Sequence, residues 1–224
     1  MRRFVRENGL SLFFFVIFAL TLVGQSFAGR SKYNAIQVEH GDSTISWWSY
    51  VTSTDFGGSV MENWQSEFLQ FSLFILATIW LVQKGSNESK VPADAGLESK
   101  AQQRIGRDAP QDGPRWAKLD DWRTRIYENS LLLAMTVIFF ATWLAQSLNN
   151  WREFNGDAQQ HGDEPIGWTS YLGKADFWER TLQNWQSEFL AVGTMVVFTI
   201  YLRQRGSPES KPVGAPHDET ASSG

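Results

Sequence analysis

The chain alternates between long apolar runs and polar stretches of comparable length. Four runs, near 9–28, 67–83, 130–148 and 188–202, are almost free of internal charge. Each comes close to the roughly 17–20 residues needed to cross about 30 Å of hydrocarbon. The pattern predicts an all-α integral membrane four-helix bundle, with structured outer loops and short interfacial helices between the spans. A helix over 55–83 would be about 43 Å long at 1.5 Å per residue and would project beyond the membrane core.

Sliding the sequence against itself by about 121 residues aligns Glu7–Lys90 with Glu128–Lys211 without a gap, with roughly 36 of about 84 positions identical. This is a tandem duplication. Because each copy carries two spans, the repeats are expected to be parallel, related by a pseudo-twofold axis along the membrane normal. The organisation that follows is a first repeat over 1–90, a flexible linker with an amphipathic segment over 91–121, a second repeat over 122–211 and a disordered tail over 212–224. The amphipathic segment is marked by Trp116, Leu119, Trp122 and Ile126 among basic residues.

The positions that both copies keep lie mostly outside the apolar filling. The longest block is Asn63-Trp64-Gln65-Ser66-Glu67-Phe68-Leu69, repeated as Asn184-Trp185-Gln186-Ser187-Glu188-Phe189-Leu190. His40-Gly41-Asp42 recurs as His161-Gly162-Asp163. Ile45, Trp47, Ser49-Tyr50 and Asp55-Phe56 recur as Ile166, Trp168, Ser170-Tyr171 and Asp176-Phe177. Within the first spans, Thr21, Gln25 and Ser26 match Thr142, Gln146 and Ser147.

With these motifs the chain resembles a family of small bacterial multipass membrane proteins, a domain of unknown function. The resemblance rests on Arg6–Leu12, on Val23-Gly24-Gln25-Ser26, on both Asn-Trp-Gln-Ser-Glu-Phe-Leu blocks and on Leu202–Pro212, and it covers nearly the whole chain. It implies a bacterial inner-membrane protein and carries no activity with it.

Charge sets the orientation. About 15 of the 20 Lys and Arg residues fall at the N-terminus, in the middle segment and in the tail. Both termini and the middle segment are therefore expected to be cytoplasmic, with residues 29–66 and 149–187 outside. Ser26-Phe27-Ala28 before Gly29 also has the form of a signal-peptide cleavage site. The mid-chain counterpart of the same helix, where no signal can act, favours a retained anchor.

Composition narrows the chemistry further. A net charge of -4, with basic and acidic residues interleaved, offers no basic face for nucleic acid. The absence of cysteine removes thiol catalysis and thiolate metal sites, and three histidines are too few for a multi-histidine centre. No phosphate loop, nucleophile elbow or zinc-protease spacing occurs, so no enzyme, cofactor or metal is assigned.

The candidate site is an outer vestibule lined by Asn63, Glu67, Asn184 and Glu188, with Gln25 and Gln146 on the first spans. Glutamates at matched depth would attract a small cation or a proton, and amide oxygens nearby would serve as neutral ligands. The alternative is that the glutamates sit hydrated at the interface and clamp helix to loop, while Gln25 and Gln146 join neighbouring helices. His40 and Asp42, with His161 and Asp163, are outer-loop candidates. They fit either a glycine-fixed turn or a shared divalent-metal site if the loops met. The expected partners are the lipid bilayer, a small cation or proton, and a membrane or periplasmic protein. Small residues spaced four apart, Gly24 with Ala28 and Ala141 with Ala145, allow close helix approach, and a homo-oligomer is a further expected partner.

Overall fold

The structure is a computed structural model, and it describes residues 2–222. In chain order the α-helices are α1 (Arg2–Glu7), α2 (Gly9–Glu39), α3 (Trp47–Val51), α4 (Thr54–Ala77), α5 (Trp122–Glu128), α6 (Ser130–Gln160), α7 (Trp168–Tyr171) and α8 (Ala175–Tyr201). Three short 3-10 turns lie between α4 and α5. No strand occurs among the described residues.

Two of these helices, α2 and α6, are long and apolar enough to cross a membrane. Each has 31 residues, about 46 Å at 1.5 Å per residue, which exceeds the hydrocarbon thickness. One threonine hydroxyl in the apolar run of each is satisfied within the helix. Thr21 Oγ1 donates to the carbonyls of Ile17 and Phe18, at 2.9 and 3.0 Å, and Thr142 Oγ1 repeats this to Ile138 and Phe139. Such bonding suits a surrounding in which no water can satisfy a hydroxyl. The side chains of Phe13, Phe14 and Phe15 on α2, and of Leu131, Val137 and Phe140 on α6, stay exposed.

Of the four expected spans, these two meet that measure over their full helices. In α4 the polar block ending at Glu67 takes up the middle of the helix, and the helix stops at Ala77, short of the expected Gln83. The apolar part that remains, 68–77, spans only roughly 15 Å. The chain turns off because it folds back on itself: Leu81 N–H donates to Ala77, and the Ile79 carbonyl accepts from Gly96 N–H at 2.6 Å. In α8 the block ending at Glu188 leaves 189–201, roughly 20 Å.

Two compact units form, and each draws on both copies. One comprises Met1–Met61 and Ala145–Leu172, the other Glu62–Leu144 and Gly173–Gly224. The stretch over 91–121, expected to be a flexible linker, carries the three 3-10 turns and closed contacts such as Lys100 Nζ to Asp120 Oδ1 at 2.5 Å. The amphipathic segment is not one helix. It breaks at Asp120, whose φ of 55° is left-handed, and α5 restarts behind Asp121, which accepts from Arg123 N–H in a capping box with Thr124.

Candidate functional site

In the first unit, the residues kept by both copies form the same hydrogen-bonded clamp twice. Asn34 exchanges two bonds with the backbone of Ile45, at 2.8 and 3.1 Å, and Asn155 does the same with Ile166 at 2.9 and 3.0 Å. The indole N–H of Trp47 donates to Ser26 Oγ at 2.9 Å, and that of Trp168 donates to Ser147 Oγ at 3.1 Å. Ser26 and Ser147 are buried, so each bond satisfies a hydroxyl that water cannot reach. Tyr50 lies against Gly29, where any Cβ would strike the phenol, and donates to Asp55 Oδ1 at 3.0 Å. Burial first, and the Asp55 carboxylate second, hold the Tyr50 phenol well above its usual range, so it remains a donor. Tyr171, fully buried in the second copy, packs its ring at a tilt against Phe154 as Tyr50 does against Tyr33.

The outer-loop candidates serve as helix stops. Gly41 and Gly162, at φ 82° and 81°, take the left-handed conformation that glycine adopts freely. Around them Asp42 N–H reaches the Gln37 carbonyl and Asp163 N–H reaches that of Ala158, both at 2.8 Å, in the six-to-one bond of a Schellman motif. His40 and His161 are exposed, and His161 Nδ1 lies 2.8 Å from the Asp157 carbonyl. No group of three or more His, Cys, Asp or Glu suited to a metal occurs among the described residues. Gln25 donates to Ser59 Oγ at 3.1 Å, and Gln146 is fully buried.

The four vestibule candidates all belong to the second unit, whereas Gln25 and Gln146 belong to the first. Glu67 and Glu188 are close enough to interact electrostatically. Asn63 and Glu67 are exposed, while Asn184 and Glu188 are half-buried. Asn184 Nδ2 donates to the Arg180 carbonyl at 3.0 Å. Beside them lies a network that sequence reasoning missed. Arg180 reaches Glu62 Oε1 through Nη1 and Asp176 Oδ1 through Nε, both at 3.2 Å. Neither Arg180 nor Glu62 has its type repeated in the other copy, where Ser59 and Gln183 stand. Gln65, fully buried, accepts from Trp185 Nε1 at 2.7 Å. The acids Glu62 and Asp176 are thus matched by a guanidinium, whereas Glu67 and Glu188 act on one another as like charges.

The whole of this framework, from the first helix to the tail, falls within one family match, because the domain of unknown function DUF6766 matches residues 1–222. The chain belongs to the DUF6766 family. No curated protein matches it, and no solved structure does either.

The DUF6766 chain also carries a paired loop that the sequence announced only as part of the family resemblance. Residues 83–90 and 204–211 fold alike. Gly85 and Gly206 turn with φ 88° and 84°, and Ser89 and Ser210 accept from the N–H groups of Gln83 and Gln204, both at 2.8 Å. The loops meet at equivalent positions. Asn87 Nδ2 donates to the Pro208 carbonyl at 3.1 Å, and the Glu88 carboxyl hydrogen-bonds to that of Glu209. Burial, then the charge of Glu209, push the Glu88 carboxyl up.

Beyond them the segment after Lys211, read from composition as disordered, is fastened by a buried ammonium. Lys211 Nζ donates to the carbonyls of Gly85, Pro216, His217 and Glu219, at 2.7 to 3.1 Å. A buried lysine is tolerated only with such partners, and these carbonyls hold the tail against the first copy's loop.

Proposed function

We propose that this DUF6766 protein is a non-enzymatic membrane protein in which α2, α4, α6 and α8 all cross the bilayer, with a mouth at Glu67 and Glu188 that binds or passes a small cation or a proton. The observation that carries this reading is the electrostatic interaction of these two glutamates, which occupy equivalent positions in the two copies. Arg180, occupied by Glu62 and Asp176, supports it by leaving the acidic pair as the local attractor. The membrane is the bacterial inner membrane, and both termini are cytoplasmic, as the distribution of Lys and Arg supports.

The test is ion and proton flux into proteoliposomes holding the wild type or the Glu67→Gln, Glu188→Gln double variant. Flux from the wild type that is lost in a folded double variant is the expected result. Absence of wild-type flux across a panel of cations overturns it. Orientation has its own test, because the native chain has no cysteine. A cysteine placed at His40 or His161 is expected to react with an impermeant reagent from outside, and one at Lys100 is not.

A second reading is favoured by the doubled clamps, which present two rigid segments of the kind that a recruited protein engages. In that reading the protein is an envelope scaffold or accessory subunit that recruits proteins or lipids, and nothing passes through it.

A further inference from the structure

Each of the two helices long and apolar enough to cross a membrane is preceded by a short basic helix. α1 precedes α2, and α5 precedes α6. They are equivalent across the duplication, and the aligned junction residues Asn8 and Asn129 close them identically: Asn8 Nδ2 donates to the Phe4 carbonyl at 2.9 Å, and Asn129 Nδ2 to the Arg125 carbonyl at 2.8 Å. The side-chain amide ends one helix and lets the next begin at Gly9 or Ser130.

The face that α5 presents is defined by what fixes the opposite one. Thr124 is buried, donating to the Trp116 carbonyl at 2.7 Å, so its side of the helix is turned inward. Trp122 and Ile126, one turn apart on the other side, are 62% and 42% exposed. At 100° per residue Arg123 and Arg125 flank this ridge on its two sides, and the Arg123 guanidinium lies 5.6 Å from the Trp122 ring centre. In α1 the exposed apolar residues are Phe4 and Val5, at 60% and 51%, with Arg6 beside them and Arg3 paired with Glu7 at 2.7 Å.

An exposed apolar ridge flanked by arginines, directly joined to a helix able to cross a membrane, matches the interfacial zone of a bilayer. Side chains there enter the acyl boundary while guanidinium groups meet phosphate. We propose that α1 and α5 are docking surfaces for anionic phospholipid headgroups, enriching such lipids around the start of α2 and of α6. This rests on the membrane reading above. The occupant is fixed by charge: the arginines favour phosphatidylglycerol-like headgroups over zwitterionic ones by about fivefold for each arginine at the surface.

The test uses the full chain with one introduced cysteine, Ile126→Cys or Val5→Cys, carrying an environment-sensitive fluorophore. The protein is reconstituted in vesicles of roughly one part phosphatidylglycerol to three of phosphatidylcholine. Brominated phosphatidylglycerol is expected to quench either label more than the same fraction of brominated phosphatidylcholine. Arg123→Gln with Arg125→Gln should reduce that preference at position 126 by up to about fivefold per residue. Equal quenching by the two lipids overturns the proposal. So does a label at 126 already shielded in detergent, which would mean that protein covers the face. A label at Phe140→Cys, on the exposed side of α6, separates the two ideas. Quenching there without lipid preference at 126 sinks only the docking proposal, whereas no quenching at 140 sinks the membrane reading and the docking proposal with it.

Discussion

The same seven residues, Asn-Trp-Gln-Ser-Glu-Phe-Leu, start at Asn63 in α4 and at Asn184 in α8, yet the two helices bury different members of the block. In α4 it is Gln65 and Ser66 that are buried, at 0% and 2% exposure. Their equivalents in α8, Gln186 and Ser187, are exposed. The clamps of the first unit behave otherwise: Asn34 and Asn155, Trp47 and Trp168, and Ser26 and Ser147 make the same bonds in both copies. The clamps are local, closing loops of a few residues to about two dozen, so each copy's own sequence suffices to specify them. Burial along a long helix is set by its neighbours, which differ between the copies. Trp185 of one block thus fills its donor requirement on Gln65 of the other.

The sharpest way to break this comparison is to replace the two glutamines in parallel. Gln65→Leu strands the Trp185 N–H and is expected to destabilise the protein by about 1–3 kcal/mol, whereas Gln186→Leu should stay within about 0.5 kcal/mol. Thermal unfolding of the purified variants in one detergent decides it, and equal losses would erase the asymmetry. Next in size is Arg180→Gln. It removes the guanidinium that reaches Glu62, only 14% exposed at its side chain, and should lower stability by about 1–2 kcal/mol. Restoration by a further Glu62→Gln would show that the loss came through the Glu62 carboxylate.

The smallest effect concerns Glu88 and is visible only against pH. Its carboxyl is raised in the folded protein, so the native state keeps a proton that the unfolded chain has already released. Stability should therefore fall as pH rises from the ordinary glutamate value through the raised native one. Glu88→Gln should flatten that fall and leave the protein relatively more stable at neutral pH. An unchanged pH profile of unfolding would show that the contact with Glu209 carries no proton linkage.

Much of the fold was legible from the residues. The all-helical class and the two membrane-length helices follow from charge-free runs, and the duplication follows from self-alignment. Gly41 and Gly162 mark helix stops because glycine alone enters the left-handed region without strain. What escaped depends on distant partners. Nothing near Ala77 in the sequence announces that the Gly96 N–H will return to donate to the Ile79 carbonyl, so α4 reads as longer than it is. Composition alone marked the stretch after Lys211 as disordered, because it is polar and rich in proline, and the four carbonyls around Lys211 are not a compositional property. For the candidate site, Glu67 and Glu188 were visible as a retained pair. Arg180 was not, since self-comparison shows only what both copies keep.

The bond from Asn87 to Pro208 bears on the symmetry of the duplication. A residue meets its own repeat equivalent only near a twofold axis, and residues 87 and 208, like 88 and 209, are equivalents under the duplication. Because the acceptor is a backbone carbonyl, present whatever the side chain, a single copy of the repeat would carry both halves of this contact, donor and acceptor, at one position. Carried twice in one chain, the contact is intramolecular and independent of concentration, and the two positions need not hold the same side chain, as Asn87 and Pro208 do not.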